Sequence, residues 1–324
     1  MNKPRYSVIV PVYNRPGEIK DLLESLQVQT QKDFEVIIVE DGSTIACEEV
    51  AVSFSDSLSI RYYVKPNSGP GPRRNFGFAH ATGEYFVVFD SDCILPPTYF
   101  EAVDRALNTW RLDAWGGPDK AHESFSIAQR AMGYTMSSFL TTGGIRGGKK
   151  SVGWFQPRSF NMGISKRVYE ATNGFRFDRF AEDIEFSIRI KKAGFNVGLI
   201  ADAFVYHKRR TSFIQFAKQV FNFGKGRVLV GSVHPEEVKM THWFPALFTL
   251  GSILTPILFL VNTLLFNISL TLFGTYLLLI FLHSLALNRN LFVACLSVPS
   301  ALLQLWGYGV GFLHQTIQVK RKRQ

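Results

Sequence analysis

Between Trp243 and Asn288 the chain carries no Asp, Glu, Lys or Arg. A helix rises about 1.5 Å per residue, so the apolar stretches at about 243–266, 268–287 and 291–313 each reach roughly 30 Å, the thickness of a bilayer core. A helix buried in a globular core does not need so long a run without charge. These stretches read as membrane segments. From Thr241 onward the only charged residues are Arg289, Lys320, Arg321, Lys322 and Arg323. Half of the net charge of +10 therefore sits in an acid-free tail, and the first 240 residues hold every carboxylate. Basic residues favour the cytoplasmic side of a bilayer. Placing all of them there predicts two spans, with the third stretch re-entrant or interfacial and interrupted at Pro299. Hydropathy alone predicts three spans.

Elsewhere the composition is that of a folded protein. With 46% hydrophobic and 19% charged residues among 324, it excludes a disordered or collagen-like chain. Met1–Arg5 leads directly into Tyr6–Val12, which reads as a strand and not as a secretory leader. Cys47, Cys93 and Cys295 follow no metal or disulfide spacing and read as reduced thiols of a cytoplasmic compartment. The excess positive charge lies beside the apolar segments, where it suits anionic lipid headgroups better than nucleic acid.

The first part alternates strand and helix. Tyr6–Val12 is a continuous β-branched apolar run, as expected of a strand buried on both faces. Ile19, Leu22, Leu23 and Leu26 then repeat with helical period. Phe34–Val39, Ile60–Val64 and Tyr85–Phe89 read as further strands, and Arg74–His80 as a helix after the Gly/Pro loop 66–72. Short loops between such elements imply a mostly parallel sheet with right-handed crossovers. Ligands bind such sheets beyond the carboxyl ends of the strands. Asn14, Arg15, Asp41, Asp90 and Asp92 gather there. Trp115–Gly117 and the Gly-rich stretch 142–153 read as loops bordering a cleft. Residues 181–193 predict a helix, with acids in the first turn, Lys191 and Lys192 in the last, and Gly194 as the stop. Residues 212–223 mix Phe213, Phe216, Val220 and Phe221 with nearby Lys218, Lys225 and Arg227, the pattern of a cationic interfacial helix.

Several residues carry chemistry on two readings. Asp90-Ser91-Asp92 offers two carboxylates to a hard divalent cation such as Mg²⁺ or Mn²⁺, or forms a capped turn. Asp41 accepts from a base or ribose, or closes a turn with Gly42 and Ser43. Arg74, opening a helix beside Asn75, suits phosphate, or is a surface arginine beside a cap. Glu182 and Asp183 provide a general base, or compensate a helix dipole. His207 ligates metal, or packs by a hydrogen bond. The Gly/Pro loop 66–72 is not a Walker loop, and no GxGxxG follows the first strand, which argues against a dinucleotide cofactor.

The segments SVIVPVYNR, IIVEDGS, NSGPGPRRNFG, VVFDSDC and EDIEFSIRIKKAGF occur in that order. Together they resemble family 2 of the glycosyltransferases, which have the α/β GT-A fold, and the apolar tail resembles its membrane-anchored members. The resemblance covers roughly residues 5–230. It implies a GT-A domain over 1–230, with a nucleotide-sugar half to about 115 and an acceptor half from 116. An interfacial segment and two or three membrane or re-entrant helices then occupy 231–324.

The resemblance further implies a metal-assisted, inverting transfer from a nucleoside-diphosphate sugar to a lipid-linked or cell-surface glycan at the inner membrane. Pro11, Tyr13, Asp41, Arg74 and Asp90 fall on donor-binding positions, with Arg73 where alanine is usual. Asp92 is the expected direct metal ligand, with Asp90 and His207 beside it. Asp183 is the expected base, with Glu182 as its neighbour. Gln219 is followed by Val220-Phe221-Asn222-Phe223 without the Arg-Trp of processive synthases, which favours single-sugar addition. A non-catalytic membrane binding module and a nucleotidyltransferase are the alternatives. The second lacks a Gly-rich, Lys-containing loop near the first strand.

Overall fold

A computed structural model of the chain describes residues 3–120, 125–143, 155–207 and 212–321, with His207 by its backbone alone. The chain order begins β1 (Tyr6–Val12), α1 (Pro16–Gln27), β2 (Phe34–Asp41), α2 (Glu48–Ser53), β3 (Ile60–Lys65), α3 (Pro70–His80), β4 (Tyr85–Phe89), β5 (Cys93–Ile94) and α4 (Tyr99–Trp110). It continues with β6 (Ala114–Gly116), β7 (Asp119–Lys120), α5 (Ile127–Ser137), α6 (Phe139–Thr142), β8 (Asn161–Ser165), α7 (Lys166–Thr172), α8 (Glu182–Lys192), β9 (Val197–Leu199) and β10 (Val205–His207). The last four helices are α9 (Phe213–Val233), α10 (Phe244–Val261), α11 (Thr263–Asn288) and α12 (Leu291–Arg321). Two compact units result, Met1–His122 with Phe155–Lys208, and Glu123–Trp154 with Arg209–Gln324.

In the first unit a seven-stranded sheet has the order β3-β2-β1-β4-β8-β6-β9. Strands β3, β2, β1 and β4 run parallel, and β8 runs antiparallel to both β4 and β6. Every residue of β1 and β2 is buried. Successive side chains of a strand point to opposite faces. Val8, Val10 and Val12 therefore pack with Leu22, Leu26 and Val103 of α1 and α4, while Ile9 packs with Phe78, Phe186 and Ile190 of α3 and α8. Each such aliphatic side chain contributes about 1.5–3 kcal/mol on burial, so covering both faces explains the unbroken apolar runs. A smaller sheet, β5-β10-β7, lies beyond the end of β4.

Two expectations change. The helix read as Arg74–His80 starts at Pro70: prolines at its first and third positions lack the N–H groups a first turn leaves unbonded, so the Gly/Pro loop is itself helical. Gly69, at φ +94°, makes the entry. Trp115 and Gly116 lie in β6 rather than in a cleft loop, and Trp115 is fully buried, because Gly163 of β8 leaves room for its indole. Most of the Gly-rich stretch, 144–153, lies outside the described residues.

In the second unit α12 packs against α5, α9, α10 and α11. Helices α10 and α11 form an antiparallel hairpin, with Thr255 Oγ1 2.6 Å from Ser269 Oγ and the rings of Phe248 and Phe273 5.0 Å apart. Ser284 Oγ meets Ser297 Oγ at 2.7 Å, and Tyr134 of α5 reaches His283 Nδ1 at 2.8 Å. Three helices, Met240–Val261, Thr263–Asn288 and Leu291–Arg321, are long and apolar enough to cross a membrane by length and composition. The third is continuous through Pro299, contrary to the expected break. Flanking hydroxyls, Ser297 Oγ to Val293 O and Ser300 Oγ to Leu296 O, supply extra bonds to the helix backbone there.

Candidate active site

The carboxyl ends of β1, β2 and β4 bring the polar residues of the first unit together. Leaving β1, Tyr13 presents an exposed ring, while Pro11 is buried within the strand. Asn14 adopts φ +55°, a conformation asparagine tolerates better than most residues. Its Oδ1 accepts from Thr44 N at 2.7 Å and Ile45 N at 3.0 Å, tying the ends of β1 and β2 together. Arg15 follows, and its Nη1 donates to Asp92 Oδ2 at 2.6 Å.

Asp41 is fully buried at the end of β2. Its carboxylate accepts from Lys65 Nζ at 3.0 Å, Ser68 N at 3.0 Å and Gly69 N at 3.1 Å, holding the segment that enters α3. Burial opposes ionisation there, but Lys65 and the two backbone donors outweigh it and hold the carboxyl below the usual range.

Arg74 lies in the second turn of α3, not at the helix N-terminus expected from sequence. Its side chain is 3% exposed. From there Nη2 donates to Asp90 Oδ1 and Nη1 to Glu182 Oε1, each at 2.8 Å. One guanidinium thus joins the acid after β4 to the acid that opens α8. Burial, aided by the charge of Asp183, pushes the Glu182 carboxyl above its ordinary value, although Arg74 acts the other way. The neighbouring Arg73 is partly buried and feels Asp90, Asp41 and Glu182; burial and Arg74 lower its pKa from the ordinary value.

Asp183 turns elsewhere. Its Oδ1 accepts from Ile184 N at 2.8 Å, and its Oδ2 lies 3.5 Å from Arg158 Nη1. The two residues before the acid pair, Phe180 and Ala181, have φ of +61° and +60°. Consecutive non-glycine residues in this region are strained, and such strain collects at functional sites. Two contacts on α3 hold the segment that leads into these residues. Asn75 exchanges hydrogen bonds with the backbone of Phe175, at 2.7 and 2.8 Å, and Gly71 N donates to Asp178 O at 3.1 Å.

His207 pairs by its backbone with Cys93, the residue after Asp92. Its side chain lies outside the described residues. Sequence reasoning missed Arg158 and Lys65 altogether, since a lone cation in a loop or at a strand end follows no motif. Cys47, Cys93 and Cys295 are all free thiols.

Residues 7–170, half of the chain, match the sequence profile described as glycosyl transferase family 2. The chain belongs to this family. Among the proteins similar to it are an uncharacterized glycosyltransferase of Rickettsia felis, 40% identical over 92 residues, which are 28% of this chain and 15% of that protein. Glycosyltransferase GlyA of Streptococcus pneumoniae is 34% identical over 110 residues, 34% of this chain and 16% of that protein. The first such relatives are matched over only 15 to 32% of their own lengths.

Similar solved structures cover nearly the whole chain. Mannosyltransferase PcManGT from Pyrobaculum calidifontis, in complex with GDP-Man and Mn2+, aligns over 94% of this chain and 88% of its own, with 16% identity and a TM-score of 0.62. S. aureus TarS 1-349 in complex with UDP-GlcNAc aligns over 99% and 92%, with 17% identity and a TM-score of 0.51. At these identities the likeness establishes the GT-A fold.

Among the described residues no group of three or more His, Cys, Asp or Glu side chains is arranged to hold a metal ion. The donor set nevertheless suits a hard cation. Asp90 and Asp92 are two carboxylates on one turn, and the arginines on them show that the turn already accommodates positive charge.

Proposed function

We propose that this family member transfers a sugar from a nucleoside-diphosphate sugar to a hydroxyl of a lipid-linked or cell-surface glycan, with inversion. The observation that carries this reading is the gathering of Asp90, Asp92 and Glu182 on Arg74 and Arg15 beyond the carboxyl ends of a GT-A sheet, with Asp183 next to Glu182 and paired with Arg158. The solved relatives named above were captured with GDP-Man and Mn2+ or with UDP-GlcNAc.

Each side chain then has a role. Tyr13 offers its exposed ring to the base, Pro11 shapes the floor below it, and Asp41 holds the segment beneath the nucleotide. Asp90 and Asp92, with His207, would hold Mg²⁺ or Mn²⁺, which when bound neutralises charge growing on the diphosphate leaving group. Arg74 fixes Asp90 relative to Glu182 and faces the same diphosphate. Asp183 takes the proton of the acceptor hydroxyl at a carboxylate oxygen, and Arg158 holds the direction in which that carboxylate points. Glu182 remains with Arg74 and aligns the first turn of α8. Positioning and fixed charge supply most of the barrier reduction in this scheme. The apolar helices keep the catalytic unit at the cytoplasmic face of the inner membrane, beside a lipid-linked acceptor.

The test is transfer by the full-length protein in detergent, using a panel of sugar nucleotides with and without Mn²⁺. Metal-dependent release of a nucleoside diphosphate is expected. Release of pyrophosphate would instead support a nucleotidyltransferase, and saturable binding without turnover a binding module.

A further inference from the structure

Each acid of the Asp90-Ser91-Asp92 turn is held by an arginine, and the two arginines differ in how firmly they are placed. Arg74 is 3% exposed and anchored at two acids. Arg15 is 33% exposed and reaches Asp92 from the open side, while Asp92 itself is 7% exposed. The backbone that delivers Arg15 is fixed by the bonds of Asn14 to Thr44 and Ile45. The guanidinium can therefore move while its Cα stays in place.

Charge balance gives the exchange a direction. Among the described residues Asp92 already carries Arg15, and Asp90 and Glu182 carry Arg74 with Arg73 nearby, so the negative charge of these acids is offset before a ligand arrives. A divalent cation arriving alone meets Arg15 on the carboxylate it needs. A cation and a nucleoside diphosphate arriving together bring compensating charge. A guanidinium released from Asp92 would stay within reach of a diphosphate bound at the same turn, and guanidinium suits phosphate oxygens through parallel N–H donors.

Resting on the donor reading above, we propose that Arg15 is an exchangeable counterion. It holds Asp92 in the metal-free site, yields that carboxylate to the divalent cation, and then binds the donor diphosphate. Arg15 thereby couples metal and donor binding, and this coupling is reciprocal. The exchange leaves no buried charge uncompensated, because the cation takes the place of the guanidinium on the Asp92 carboxylate.

The test uses the full-length protein in detergent and two titrations that do not depend on turnover. Mn²⁺ binding without nucleotide is followed by the electron paramagnetic resonance signal of free Mn²⁺. Binding of UDP, GDP, dTDP and CDP at saturating Mn²⁺ is followed by calorimetry. Removing a positive charge beside the cation should make Arg15→Gln bind Mn²⁺ alone about tenfold tighter. The same variant should bind the preferred nucleoside diphosphate about tenfold more weakly. Arg15→Lys should fall between the two, and Asp92→Asn should lose Mn²⁺ binding. A purely structural strut would move both affinities in one direction or neither. Unchanged or weaker Mn²⁺ affinity in Arg15→Gln overturns the exchange, as does unchanged diphosphate affinity. If the wild type binds none of the four diphosphates, the donor reading itself fails. Equal thermal unfolding temperatures keep the comparison free of folding effects.

Discussion

Gly224 of α9 approaches Tyr308 of α12 so closely that a Cβ built on the glycine would stand 2.1 Å from the Tyr308 carbonyl oxygen. Gly311 is equally tight against Phe221 O, also at 2.1 Å, so the two helices meet backbone to backbone. Small residues at such contacts let helices pack without the hydrophobic drive that water provides. Gly224→Val should therefore separate α9 from α12, at a cost of about 1–3 kcal/mol or more from overpacking. Gly274 of α11 has no atom within 4 Å of its Cβ position, and Gly274→Ala should be neutral or slightly stabilising. Thermal unfolding in detergent compares the two; equal losses would show that the α9–α12 contact is not tight.

Asp183→Asn keeps the shape of the side chain and removes its basicity. Turnover should fall by roughly 10²–10⁴, the span of a general base, with nucleoside-diphosphate affinity retained. Single-turnover rates and equilibrium binding separate the two quantities. Near-normal turnover would leave the base elsewhere.

Arg74→Lys retains the charge but not the two-pronged donor. A single ammonium cannot reproduce the planar fork that serves Asp90 and Glu182 together. Donor affinity and folding stability should both drop. Arg74→Ala should be worse, at about 3–5 kcal/mol, because it leaves a buried carboxylate without its partner. Chemical denaturation and nucleotide titration of the three proteins would show this ranking.

Acid should destabilise the catalytic unit through Glu35 and Glu40. Glu40 accepts from Cys47 N at 2.9 Å and Tyr62 OH at 2.8 Å, and it also takes the Ser43 hydroxyl. Burial favours the neutral form, but these donors outweigh it and hold the carboxyl below its ordinary value of 4.5; the donors on Glu35 do the same. A depressed folded pKa gives stability that is present above the unfolded value and lost as pH falls through the folded one. Glu182, raised by burial, has the opposite sign: its ionisation costs stability as pH rises from 4.5. The unfolding temperature should thus decline below about pH 4.5, and Glu40→Gln should flatten that decline while lowering the value at pH 7. A parallel acid limb in the variant would discount Glu40.

Much of the catalytic unit was legible because its signals are local. The strands at Tyr6–Val12 and Tyr85–Phe89 lie where continuous apolar runs put them, since both faces of the sheet are covered. The acids at strand ends were visible for the same reason: a polar residue directly after a buried run marks where the strand emerges. Pairings were not visible. Nothing near Arg74 in sequence names Glu182, and nothing near Asp183 names Arg158. The helical start at Pro70 was obscured because proline and glycine usually mark loops, whereas here two prolines occupy a first turn.

Residue order and composition alone determined that an acid-free apolar tail follows a carboxylate-bearing α/β unit, because hydrophobic period and charge are properties of neighbouring residues. The tertiary structure decided which cation meets which acid, and it assigned α5 and α6 to the helical unit with α9–α12. It also decided that Pro299 is accommodated inside a continuous helix. These outcomes depend on contacts between residues far apart in the chain. Their energies come from desolvation and close approach, which a local pattern does not encode.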